Sequence, residues 1–116
     1  MEKHAWEKAK DIMTSMDWNV EEEDTNCYNL QRFSSEGQDF NISVKGIDMD
    51  DFLHNLYEAY ENFDVSTEAM LWLDSEGHGC NGAPYEMIDV YNDFEECRQK
   101  IDELWDALNE MWQNIA

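Results

Sequence analysis

Basic side chains are the scarcest feature of this chain: seven Lys and Arg stand against 28 Asp and Glu, a formal net charge of −21. Phosphate contacts need Lys and Arg, so direct binding to nucleic acid is disfavoured, and an anionic membrane surface is disfavoured for the same reason. Basic proteins, cationic ligands and divalent metals remain as partner classes. Cysteine is sparse as well. Cys27, Cys80 and Cys97 are an odd number at no framework spacing, which favours reduced thiols and a cytoplasmic setting. No apolar segment of signal-peptide type follows Met1, and no apolar run approaches ~18 residues. The expectation is a protein with neither leader nor membrane span. Nothing repeats, and no segment is of low complexity.

The motifs of enzyme chemistry are missing too. There is no Gly-x-Ser-x-Gly elbow, no Gly-rich phosphate loop and no dinucleotide fingerprint. Carboxylates are so abundant that no acid/base pair stands out. Cys97 falls beside an apolar stripe, Cys27 at a strand start, and Cys80 in a loop, where a lone thiol is weak evidence for a nucleophile. Asp74, Glu76, His78 and Cys80 lie within seven residues and are plausible zinc-ligand types. However, no second Cys or His pair stands at a conventional spacing, and neither a zincin helix nor an EF-hand loop appears. A solvated Gly-rich turn is the plainer reading, and His4 and His54 have no ligand partner nearby. The expectation is a non-enzymatic chain with no cofactor and no metal.

What is present suffices for a core. The 116 residues suit a single domain, and 42% are hydrophobic and 13% aromatic, which argues against disorder despite the charge. Ala5, Trp6, Ala9, Ile12, Met13 and Met16 predict a helix within 1–16. It carries Lys3, Lys8 and Lys10, which are expected to pair with acids elsewhere. The period then drops from 3.6 to 2 over 17–46. Trp18 and Val20 alternate with polar residues before Glu21–Asp24, a run that reads as a turn or an exposed strand end. Tyr28 and Leu30 alternate again, and Ser34–Gln38 is a turn cluster. Phe40, Ile42 and Val44 then keep strict i, i+2 spacing. Gly46 ends this hairpin or meander of two or three strands.

Two helices are expected over 47–75. Asp48 caps the first, which buries Phe52, Leu53, Leu56, Tyr60 and Phe63. Asp64 or Ser66 caps the second. Residues 76–83 form a Gly-rich loop, and a long helix fills 84–113, with Pro84 in its first turn. The predicted fold is α+β, a small antiparallel sheet of two or three strands packed against about four helices.

The long C-terminal helix organises the rest. Met87, Tyr91, Phe94, Ile101, Trp105, Leu108 and Trp112 form its apolar stripe, widened by Val90, Cys97 and Leu104. Its other side is a dense set of carboxylates. Asp89, Glu96, Glu103 and Glu110 recur every seven residues, ~10 Å apart. Glu95, Asp102 and Asp106 make a second line beside them, and Glu58 and Glu61 on the preceding helix, with Asp50 and Asp51, extend the field. From Glu86 to Glu110 the helix covers roughly 36 Å, about ten base pairs of duplex. Residues 1–45 carry ten acids and five bases, whereas residues 46–116 carry eighteen acids and two bases, Arg98 and Lys100. Such a surface, with Trp112 as an exposed aromatic anchor near the chain end, suits a protein with a Lys/Arg-lined channel.

In size, charge and acids ranked along helices, the chain resembles the small acidic inhibitors of phages and mobile elements, the anti-restriction and anti-CRISPR proteins that imitate DNA. The run Phe63, Asp64, Val65, then Trp72, then Gly79 to Pro84 and a long acidic helix is similar to segments in small proteins of Gram-positive gut bacteria and their mobile elements. The resemblance implies a target such as a Cas nuclease or a restriction enzyme. The site residues expected to bind it are Asp89, Glu95, Glu96, Asp102, Glu103, Asp106, Glu110, Glu58 and Glu61, and reversing Glu96, Glu103 and Glu110 to Lys is expected to abolish binding. The alternative is an adaptor or oligomerisation module, such as a homodimer, that binds through apolar helix faces while the acids serve solubility.

Overall fold

A computed structural model describes residues 2–35, 37, 39–74 and 87–115. The order is α1 (Lys3–Ser15), β1 (Asn19–Asp24), β2 (Cys27–Phe33), β3 (Asp39–Lys45), α2 (Met49–Glu61), α3 (Val65–Asp74) and α4 (Met87–Ile115). The α+β expectation holds, with three strands and a long C-terminal helix. The Gly-rich loop expected at 76–83, and Pro84 with it, lie outside the described residues.

Glu2 starts α1. Its carboxylate accepts the His4 and Ala5 N–H groups at 2.8 and 2.7 Å, and those bonds hold its pKa below the usual carboxylate range. Ala5, Ala9 and Met13, one turn apart, are buried, with Trp6, Ile12 and Met16 at the margin. The helix stops where Asp17 takes a left-handed φ of 67°, a region Asp tolerates better than most residues. Lys3, Lys8 and Lys10 do not do what the sequence suggests. All three are exposed, and among the described residues no salt bridge joins them to an acid. In water such a pair gains little Coulomb energy and costs side-chain entropy.

The sheet is antiparallel in the order β1-β2-β3. Tyr28 pairs with Val44, Leu30 with Ile42 and Arg32 with Phe40, and Val20 stands opposite Leu30, so these residues share the inner face. The outer face is polar: Asn19 donates to Gln31, Asn29 to Asn41 and Gln31 to Asp39, at 2.7 to 2.9 Å. Glu21–Asp24 complete β1 rather than forming a turn. An edge strand tolerates four exposed acids because water reaches their side chains and like charges deter edge-to-edge pairing. Gly46 follows β3 under Phe52, where an added Cβ would meet the Phe52 Cβ at 2.7 Å.

Asp48 caps α2 by accepting the Asp51 N–H at 2.8 Å, and Asp64, not Ser66, caps α3 by accepting the Thr67 N–H at 3.1 Å. On α2, Met49, Phe52, Leu53 and Leu56 are buried while Tyr60 and Phe63 are half-buried at its end. The α4 stripe is rotated from its expected centre. Val90, Cys97, Ile101, Leu104 and Leu108 are its deepest residues, and Tyr91 is exposed. Helices α1 and α2 cover the sheet, α4 packs across both of them, and α3 packs chiefly on α4. Aromatics tie the layers together: Trp6 lies 4.4 Å from Tyr28 and 5.6 Å from Phe52, and Phe63 bridges Phe40 and Phe94. Among the described residues no helix is long and apolar enough to cross a membrane.

Candidate partner-binding surface

Helices α2 and α4 run antiparallel, because the end of α4 meets the start of α2 and the end of α2 meets the first half of α4. Trp112 donates its indole N–H to the Asp50 carboxylate at 2.8 Å, Trp105 donates to the Leu53 carbonyl at 3.0 Å, and Arg98 donates to the Tyr60 carbonyl at 3.2 Å. Trp112 is therefore a half-buried latch on α2 rather than an exposed anchor. The Arg98 guanidinium also lies over the Tyr60 ring, 4.1 Å from its centroid. It brings a cation to the C-terminal turn of α2, which has no basic residue of its own.

Along this seam Tyr57 of α2 packs against α4. Its ring is 5.3 Å from Trp105 and 6.2 Å from Tyr60, and it is 39% exposed. The charge of the Glu61 carboxylate is the main cause that raises the Tyr57 pKa, partial desolvation adds to it, and Tyr60 and Asp102 of α4 contribute least. Glu61, one turn from Tyr57, and Asp102, one turn from Trp105, both expected at the site, thus stand beside this ring pair on opposite helices. Asp106 is exposed one turn beyond Asp102, and Glu95 is half-buried two turns before it. We call this row the seam flank of α4.

The other row begins beside the turn that follows β2. Glu96 accepts the Ser35 hydroxyl at 2.7 Å, and Glu103 pairs with Lys100 at 3.1 Å. Asp93, which the sequence reading passed over, is buried on this side and accepts the Ser34 hydroxyl at 2.6 Å. Glu110 is exposed, and the Asp89 side chain lies outside the described residues. This is the sheet flank. Glu58 joins neither row. Its carboxylate lies 3.1 Å from the His54 Nε2 and lines a shallow depression of about 320 Å³ with Ser43, Lys45 and Asn55 on the β3 side of α2. The structure therefore unites Glu61 with the α4 acids and sets Glu58 apart from them.

Besides Asp93, Tyr57 escaped the sequence reading, and its signal was its i, i+4 spacing to Glu61. On the edge strand Glu21–Asp24 are all exposed, in keeping with the exposed strand end that the sequence offered beside a turn. Of the zinc-ligand candidates, Glu76, His78 and Cys80 lie outside the described residues, as does the Asp74 side chain. Among the described residues no three His, Cys, Asp or Glu side chains are grouped to hold a metal ion. Cys97 is buried, and that burial, with Asp93 and Glu96 nearby, pushes its thiol up to about 12. A thiol so placed stays protonated near neutral pH and is a poor nucleophile. No family model, no curated protein and no solved structure matches the chain.

Proposed function

We propose that the protein is an acidic mimic of a nucleic-acid backbone, which binds and inhibits a DNA- or RNA-handling enzyme such as a Cas nuclease or a restriction enzyme in the cytoplasm. One observation carries this reading. After residue 45 the chain has two bases, and both are engaged internally, Arg98 on the end of α2 and Lys100 on Glu103. The remaining acids of α2 and α4 have little countercharge and stand on two helices locked in register. A rigid array of carboxylates on a helix of 29 residues, ~43 Å long, is matched in scale to a turn of duplex. A Lys/Arg-lined channel is attracted to such an array over a Debye length and then filled by it. Inhibition is occlusion and needs no bond chemistry.

The adaptor alternative has less to work with, since of the α4 stripe Val90, Cys97, Ile101, Leu104 and Leu108 are buried within the chain, Phe94, Trp105 and Trp112 are half-buried, and Tyr91 is exposed. The test is capture from a bacterial lysate at ~0.1 M and ~1 M salt, with duplex DNA added as competitor. A nucleic-acid enzyme that is captured at low salt, lost at high salt and displaced by the duplex supports mimicry. A partner that survives high salt and ignores DNA, or salt-insensitive self-association, overturns it.

A further inference from the structure

We infer that Tyr57, framed by Glu61 and Asp102, is the seat for an arginine side chain of a basic protein partner. This rests on the proposed acidic docking surface and names its central contact. Three observations lead to it. The first is the exposed ring itself, backed by Trp105 and Tyr60 and so held in place rather than free to turn away. An exposed aromatic face amid carboxylates is a place where a cation gains both ring and charge attraction.

The second is what the chain does with its own arginines. It has two, and both lie over aromatic rings: Arg32 at 5.3 Å from the Trp18 centroid and Arg98 at 4.1 Å from the Tyr60 centroid. Tyr57 neighbours Tyr60, so Arg98 is an internal copy of the contact, one turn along the same seam. The third is charge placement. Glu61 stands one turn from Tyr57 on α2, and Asp102 stands one turn from Trp105, which packs on the ring from α4, so a guanidinium stacked there has a carboxylate of each helix close by on the same seam. Its planar fork uses both, whereas a lysine ammonium binds as a point charge. The seat therefore selects arginine over lysine, which a plain acidic field does not.

The experiment titrates the whole protein with an oligoarginine peptide and with the oligolysine peptide of equal length, at low and moderate salt. Binding is followed by the amide signals of Tyr57, Glu61 and Asp102 and by the Trp105 indole N–H signal. The arginine peptide should bind about two- to fivefold more tightly, with the largest shifts at those residues. Tyr57→Leu should abolish the preference and retain salt-sensitive binding of both peptides. Tyr57→Phe, which keeps the ring, should retain the preference and serves as the folding control. Equal binding of the two peptides, or a preference unchanged in Tyr57→Leu, overturns the arginine seat and leaves the acidic docking surface standing. No binding of either peptide overturns both.

Discussion

The two flanks of α4 are built from the same residue types at the same helical spacing, yet they differ in how free their charges are. On the sheet flank Glu96 is held by Ser35 and Glu103 by Lys100, and the buried Asp93 is bonded to Ser34. On the seam flank Asp102 and Asp106 continue onto α2 through Glu61, with an aromatic row between the helices. The sheet flank ties Asp93, Glu96 and Glu103 into contacts within the chain and leaves Glu110 exposed, whereas on the seam flank no salt bridge among the described residues ties Glu61, Asp102 or Asp106. A count of acids along a helix weights these rows equally. The tertiary partners do not.

Separating α2 from α4 is the strongest way to break the comparison. Trp105 packs on Tyr57 and bonds to the Leu53 carbonyl. Trp105→Ala should cost about 3 kcal/mol in urea denaturation, the low end for a large aromatic because the side chain is only half-buried. Trp105→Phe keeps most of the packing, loses one hydrogen bond and should cost about 1 kcal/mol. Equal losses for the two variants would mean that the hydrogen bond, not the ring, holds the seam.

Charge reversal tests the flanks directly. The triple Glu61→Lys, Asp102→Lys and Asp106→Lys should weaken binding of a captured basic partner on the order of a hundredfold, since like charges then face each other at the seam. The triple Glu96→Lys, Glu103→Lys and Glu110→Lys, expected from the sequence alone to abolish binding, should weaken it about tenfold, because Glu96 and Glu103 are engaged within the chain. Each triple removes the same net charge, so a difference reports placement. Equal losses, measured by salt-controlled titration, would reduce the acidic surface to net charge alone.

Much of this was legible in the chain because period, caps and turn residues are local. The switch from a period of 3.6 to 2 and back located the sheet, and Asp48 announced α2. The paired acidic lines on α4 follow from helical spacing alone. What was not legible depends on contacts between elements far apart in sequence. Trp112 looked like an anchor for a partner until Asp50, 62 residues away, supplied its acceptor. The α4 stripe was centred on its bulkiest residues, but the deepest residues are Val90, Cys97, Ile101, Leu104 and Leu108. Glu58 and Glu61 are neighbours in sequence, and only the position of α4 beside α2 decides that one joins the acidic row and the other does not.

Smaller effects belong to the sheet flank. Ser34→Ala removes a donor from buried Asp93 and should cost about 1 kcal/mol, at the low end because Asp93 keeps further interactions. Ser35→Ala, whose bond to Glu96 is exposed, should be nearly silent. Cys97 gives this flank a pH signature. Its folded pKa lies near 12 against an ordinary 9.0, raised first by burial. The unfolded chain therefore releases this proton first as pH rises, and the stability it lends is complete below 9.0 and is lost through about 12. Cys97→Ala should flatten the alkaline decline in stability, measured by urea denaturation at stepped pH. An unchanged decline would assign it to other groups.

Lys100→Gln is the mildest change and the sharpest test of why the flanks differ. Lys100 is about one-third exposed and its pair with Glu103 is a surface i, i+3 contact, so stability should move by less than ~0.5 kcal/mol. Binding should respond in the opposite sense to an ordinary loss of contact. Removing the ammonium frees Glu103 and deletes one of the two bases in the acidic half, so affinity for a basic partner should rise about two- to threefold at low salt and return to the wild-type value at high salt. An affinity that does not change would mean that Glu103 faces no partner even when free, and that the sheet flank is structural. An affinity that falls would place Lys100 itself at the interface, against the direction of the surrounding field.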